Sequence, residues 1–161
     1  MKIFDIKKHP DKVLRRKSQP VARITEREMA LFQDMLHTMH HCSGIGLAAP
    51  QIGINIRLFV VDIGKGPLLI ANPKILKIKG KDRMEEGCLS LPDVVVNIER
   101  PSEVVIRGLN EKGETVEIDA KGLLARVILH EIDHLQGRLI IDYMSLLNKI
   151  KFNLSRKKSQ S

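Results

Sequence analysis

The sequence predicts an α+β fold, and three observations carry the prediction. An amphipathic helix opens the body of the chain, β-type runs crowd its middle, and a second, strongly apolar helix follows them. Strands grouped between helices, instead of alternating with them, argue against βαβ units and a parallel sheet. The length of 161 residues suits one domain. Hydrophobic residues at 43% and charged residues at 29% are globular proportions, which excludes disorder as the main state.

The first helix begins at a capping box, Thr25-Glu26-Arg27-Glu28, in which the hydroxyl and the carboxylate close the first turn. Met29, Phe32, Met35, Leu36 and Met39 follow at helical spacing, and Gly44 is the expected stop. Residues 44–53 read as a loop. Strands are expected at 57–63, 68–71, 75–78, 94–98, 104–109 and 115–119, with Pro101 dividing two of them. The second helix spans 122–137. Leu123, Leu124, Val127, Ile128, Leu129, Ile132 and Leu135 cover most of its circumference, so it is predicted to be buried. It nevertheless carries His130, Glu131 and His134. Buried ionisable groups cost several kcal/mol unless they are paired or bind metal.

His130-Glu131-Ile132-Asp133-His134 is an H-E-x-x-H pattern. On a helix, His134 lies about 40° round from His130 and Glu131 about 100°. Two imidazoles one turn apart can grip one ion, and the carboxylate between them can reach water on it. The bland alternative is a pair of hydrogen-bonded core histidines. A catalytic centre of this kind takes three protein ligands and keeps one open position. Downstream, Ile140 stands where a metzincin has its last histidine, and Asp142 is the only carboxylate after the motif. Upstream, Cys88 within Glu85-Glu86-Gly87-Cys88-Leu89-Ser90-Leu91-Pro92 is a candidate, with Gly87 allowing close backbone approach. A thiol beside a divalent cation is held as thiolate. His37, His40, His41 and Cys42 form a rival cluster, read as structural because histidine is a favourable cation at a helix C-terminus.

Gly44-Ile45-Gly46-Leu47-Ala48-Ala49 formally fits a dinucleotide fingerprint, but a helix precedes it and Pro50 interrupts what should follow, so no nucleotide cofactor is expected. The segment is either an ordinary tight connection or a close-approach loop whose Gln51 amide can face a developing oxyanion.

Charge is uneven. Lys and Arg number 27 against 19 Asp and Glu, yet residues 1–20 and 147–161 each carry +5 and the body between them −2. Basic ends favour a polyanionic neighbour such as ribosomal RNA, or simply solubilise the chain. One Tyr and no Trp exclude a base-stacking platform. No apolar run approaches the ~20 residues that span a bilayer. The start lacks a signal peptide's apolar region, and two cysteines cannot form a disulfide framework, so a reducing cytoplasm is expected.

GIGLAAPQIG, EEGCLSLP and HEIDHLQG, in this order and spacing, resemble the peptide deformylases, bacterial metallo-hydrolases that remove N-formyl groups from nascent chains. The HPDKVLR stretch is similar too. The resemblance covers nearly the whole chain, giving an expected catalytic domain at 1–147 and a basic C-terminal segment at 148–161. It implies mixed or antiparallel sheets packed around a central buried HExxH helix, with a short C-terminal helix like the ribosome-contacting helix of some members. It implies that Cys88, His130 and His134 hold one divalent ion, Fe²⁺ first, with Zn²⁺, Ni²⁺ or Co²⁺ as substitutes. Glu131 would be the catalytic acid/base, and Gln51 and the Leu89 N–H would bind the oxyanion. Ile45, Gly46, Glu86, Gly87 and Val127 would line the pocket for the methionine of N-formylmethionyl nascent peptides. Arg126 stands where some members carry an aliphatic residue, and Val94-Val95-Val96 replaces a stretch often bearing Arg or Tyr; both bear on substrate preference. Two rivals stand beside this reading. One is a zincin-type peptidase using His130, His134 and Asp142, and the other is a non-catalytic module held to RNA by its basic ends.

Overall fold

The computed structural model describes residues 1–160. Helix α1 (Glu26–His41) starts at the expected cap: the Thr25 side chain accepts from the Arg27 N–H, and the Glu28 carboxylate accepts from the Thr25 N–H at 2.9 Å. The helix does not stop at Gly44. Cys42 caps it and Ser43 takes the left-handed turn at φ 56°. Gly44 lies beyond the cap, where a Cβ would sit 3.0 Å from the end of the Leu89 side chain.

The segment expected as loop is ordered. It forms β1 (Gly46–Ala48) and a 3-10 turn over Ala49–Ile52, with Pro50 near the turn's start, where its missing N–H costs nothing. Six strands follow: β2 (Leu58–Val61), β3 (Leu68–Lys79), β4 (Asp82–Cys88), β5 (Leu91–Arg100), β6 (Glu103–Leu109) and β7 (Thr115–Lys121). They form a five-stranded sheet, ordered β1-β2-β3-β6-β7, and a separate β4-β5 hairpin. Every strand pairing is antiparallel, and a lone parallel bridge joins Gln19 to Ile56.

Three strand expectations are corrected. Residues 68–71 and 75–78 belong to one strand, whose register shifts between Ala71 and Lys74. At that irregularity Asn72 has φ 51°, and its side-chain amide satisfies the N–H and C=O of Val21 at 2.8 and 2.7 Å. Strand β4 was not expected: Asp82, Arg83, Glu85 and Glu86 disguise it, and only Glu86 is buried. It exists because β5 pairs with it along its length. Strand β5 begins at Leu91, three residues early, because Leu91 pairs with Cys88 at the hairpin's end.

Helix α2 (Gly122–Leu135) follows β7 with no residue between. Gly122 makes the reversal at φ 57°, a conformation that a side chain would strain. Nine of the fourteen residues of α2 are buried, as its apolar circumference demands. Strand β2 shows how the layers stack. Phe59 and Val61 pack with Ala125, Val127, Ile128 and Ile132 of α2, whereas Leu58 and Val60 pack with Phe32, Met35 and Met39 of α1. The period-2 alternation of one strand thus serves two helices, and each buried side chain of this size contributes ~1.5–3 kcal/mol. Helix α3 (Leu146–Ser159) is longer than the short C-terminal helix expected, and none of its residues is buried. No described helix is long and apolar enough to cross a membrane.

Candidate metal centre

Cys88 ends β4, and the hairpin folds it over α2. Its Sγ lies 3.3 Å from His134 Nε2, and His134 Nε2 lies 3.2 Å from His130 Nε2. Among the described residues, these three form the one His/Cys/Asp/Glu group placed to hold a metal ion. A tetrahedral site with metal–nitrogen bonds of ~2.05 Å has donor–donor edges of about 3.3 Å, so the spacing fits a single divalent ion. The donor chemistry fits as well: two imidazoles and a thiol suit Fe, Zn, Ni or Co. The remaining ring nitrogen of His134, Nδ1, is buried without a protein partner.

Behind the cluster sits a buried charge network. The Glu86 carboxylate accepts from Arg100 Nε at 2.5 Å, from Arg100 NH2 at 2.9 Å and from Arg126 NH1 at 2.8 Å, and it pairs with His130 Nδ1 at 2.9 Å. Arg100 also donates to Asp133 at 2.8 Å, and the Tyr143 hydroxyl donates to the same carboxylate at 2.6 Å. With Nδ1 of His130 engaged, its Nε2 is the nitrogen that faces Cys88 and His134. Burial pushes Glu86 up, but the hydrogen bonds from His130 and Arg100 outweigh it and hold the carboxyl at about 2. Burial likewise pulls His130 down, and its hydrogen bonds to Cys88 and Glu86 reverse this, holding it up at about 10. His134 goes the other way, lowered by burial and by the charge of His130. A cation at this point competes with the His130 proton, so metal binding and proton release are coupled.

Glu131 points into the same space. It is 2% exposed, its Oε2 has no partner, and burial pushes its carboxyl up to about 7. Gly46 makes room for it: a Cβ there would fall 2.3 Å from Glu131 Oε1. Gln51 is 2% exposed and held by its Oε1, which accepts from the Ala48 N–H at 2.9 Å. Its Nε2 donates to Ser90 Oγ at 3.2 Å and toward Cys88 Sγ at 3.6 Å, so the amide donor faces the cluster. A cavity of about 500 Å³ opens beside these groups, lined by Ile45, Met84, Leu123 and Val127 among others. Gly46, Glu86, Gly87 and Leu89 also line it.

The expected ligands, Glu131 and Gln51 converge, and the two rival groups do not join them. Glu86 reaches the cavity wall, but both of its oxygens are committed to Arg100, Arg126 and His130. Asp142 stands apart: it pairs with Arg15 at 2.7 Å and accepts from the Leu139 N–H at 3.0 Å. The rival group near the end of α1 does not assemble, and His40 pairs with Asp62 at 3.1 Å instead. Sequence reasoning missed Arg100, Asp133, Tyr143 and Ser90. No local signal pointed to them, because the strand that holds Glu86 and Cys88 is itself set by its pairing with β5.

A cysteine and an HExxH pair around one point, with a free carboxylate and an apolar cavity beside them, define the class of mononuclear metal-hydrolase sites. Comparison with known proteins narrows the class. The family model described as polypeptide deformylase matches residues 3–150. A peptide deformylase of Clostridium botulinum is 56% identical over 142 residues, covering 88% of this chain and 97% of that protein. The crystal structure of the Thermotoga maritima peptide deformylase is similar with a TM-score of 0.88 at 44% identity, covering 90% of this chain and 99% of that one. That of the Ehrlichia chaffeensis peptide deformylase in complex with actinonin gives 0.93 at 36% identity, covering 100% and 99%. The chain belongs to the polypeptide deformylase family.

Proposed function

We propose that this chain hydrolyses the N-formyl group from the formylmethionine of newly made polypeptides and releases formate. The observation that carries the reading is the meeting of Cys88, His130 and His134 beside an unpartnered, buried Glu131 in a chain of this family. Cys88, His130 and His134 would hold the ion, with Fe²⁺ the proposed occupant and Zn²⁺, Ni²⁺ or Co²⁺ able to replace it. When bound, a divalent cation supplies Lewis-acid polarisation and makes water nucleophilic at neutral pH.

The chain's own groups do the rest. Glu131 takes a proton from the attacking water and later passes it to the leaving amine; its carboxylate is buried in the site and its Oε2 is free for that exchange. Gln51 Nε2 and the Leu89 N–H donate to the oxygen on which charge develops, and one such donor is typically worth ~3 kcal/mol. The cavity walls of Ile45, Gly46, Gly87 and Val127 exclude water and receive the methionine side chain. Residues 1–147 form the catalytic unit, with α2 as its central support. Residues 148–161 carry five basic groups and no acid, which suits contact with a polyanion such as ribosomal RNA.

Formate release from a formyl-Met peptide, measured before and after chelation, tests the reading. Release that stops on chelation and returns with Fe²⁺ under anaerobic conditions is expected. A metal-loaded chain that leaves the formyl group in place overturns it. Cleavage of internal or unblocked peptide bonds would mark a peptidase instead.

A further inference from the structure

We infer that Arg126 is a positioning residue for the metal centre: it clamps Glu86, and through Glu86 the ring of His130, while tying α2 to the hairpin that carries Cys88. The inference rests on the metal-dependent reading above and concerns how its site is held.

Arg126 is 4% exposed, unusual for a residue with a charged head. It precedes His130 by four residues on α2, so the two side chains leave the helix in nearly the same direction. They take opposite oxygens of one carboxylate: Arg126 NH1 donates to Glu86 Oε1 at 2.8 Å, and His130 Nδ1 meets Glu86 Oε2 at 2.9 Å. The same guanidinium donates to the Ile98 carbonyl at 3.0 Å and to the Asp82 carbonyl at 2.8 Å. One side chain of α2 thereby reaches both strands of the β4-β5 hairpin. Cys88 lies two residues beyond Glu86 on β4, so Arg126 helps set the span between thiol and imidazoles.

Arg100 faces two carboxylates, Glu86 and Asp133, so a second guanidinium shares the hold on Glu86. Without Arg126, Glu86 Oε1 keeps only Arg100. A carboxylate drawn toward Arg100 releases the His130 ring. The competing role for Arg126 is passive, because it also lines the cavity. The two roles separate experimentally, since partners behind a ligating histidine typically change metal affinity by ~10–100-fold.

The test uses the full chain as wild type, Arg126→Met and Arg126→Lys, stripped of metal and titrated with Zn²⁺ against a chromophoric chelator. A parallel titration with Co²⁺ records its absorption spectrum. Arg126→Met is expected to bind about tenfold or more weakly and to shift the Co²⁺ spectrum, with Arg126→Lys between it and wild type because a point charge replaces a planar fork. Unchanged affinity and spectrum in the folded Met variant overturn the inference, as does a change confined to KM for formyl-Met peptides. Should the Met variant fail to fold, unchanged affinity in Arg126→Lys overturns it equally. A wild-type chain that binds neither ion overturns the metal-centre reading together with this inference. Normal binding without formate release overturns the reaction alone.

Discussion

Helices α2 and α3 have the same length and opposite circumstances. Each has fourteen residues, yet nine are buried in α2 and none in α3. Both carry charge. On α2 three ionisable groups have specific partners, Arg126 with Glu86, Asp133 with Arg100 and Tyr143, and His130 with Glu86, while the Glu131 carboxylate is enclosed with its Oε2 unpartnered. On α3 Arg156 is half-buried against His9 and Phe152, Lys151 and Lys157 are exposed, and Leu146, Leu147, Ile150 and Leu154 are exposed beside them. The lesson is that burial converts a charge from a solubility device into a directional tool. Solvent screens α3, whereas the dry surroundings of α2 make each partner's placement decisive.

Substitutions can break or sharpen this contrast. The largest effect is expected from Glu131→Gln, which keeps the shape and removes the base. Formate release should fall by ~10²–10⁴-fold while metal analysis shows an unchanged ion content. Near-normal turnover would mean that α2's enclosed carboxylate is idle. Next comes Ile128→Ala, which opens a cavity where exposure is zero and should cost about 2–5 kcal/mol in urea unfolding. Cys88→Ser should lower metal affinity by at least ~10-fold and change which ion is preferred, because a hard ligand replaces a soft one. Equal metal content in that variant would remove Cys88 from the centre.

Two smaller effects complete the series. Asp142 is about a third exposed; burial is the largest single influence and raises its carboxyl, but the hydrogen bonds from Arg15 and the Leu139 N–H and the charges of Arg15 and Lys149 together hold it below the ordinary value of 3.8. A depressed carboxyl stabilises the fold above its unfolded pKa, and that part is lost as pH falls through the lowered value. Asp142→Asn should therefore cost ~0.5 kcal/mol at neutral pH, lose its difference from wild type in acid, and leave deformylation intact. Loss of metal instead would revive the peptidase alternative. Smallest is Ile150→Ala on α3, the matched partner of Ile128→Ala, expected within ~0.5 kcal/mol of wild type. A larger loss would show that the outer face of α3 is covered in solution.

Much of this was legible because it rests on local rules. The Thr25–Glu28 cap, the apolar circumference of α2 and the turn-bounded β runs each follow from residues close in sequence. The HExxH spacing places His130 and His134 together on any regular helix. What escaped depends on partners far along the chain. Strand β4 carries four charged residues in seven and has one buried position, so nothing local marks it as a strand; β5 supplies the reason. Arg126 was legible only as a departure bearing on substrate preference, and nothing local marked Arg100. Only the folded chain shows that Glu86 collects both. The 44–53 segment looked like loop because glycine and proline dominate it, and those same residues permit the tight path past Glu131.

The two-part origin of the centre has a consequence for the order in which the protein matures. Its sulfur arrives on a hairpin at residue 88, and its imidazoles arrive more than forty positions later, at 130 and 134. During synthesis the thiol therefore leaves the ribosome well before anything exists to share a cation with it. A half-made chain holds the Cys88 thiol without its imidazole partners, and the donor set is complete only after the last helical turn of the motif has emerged and docked.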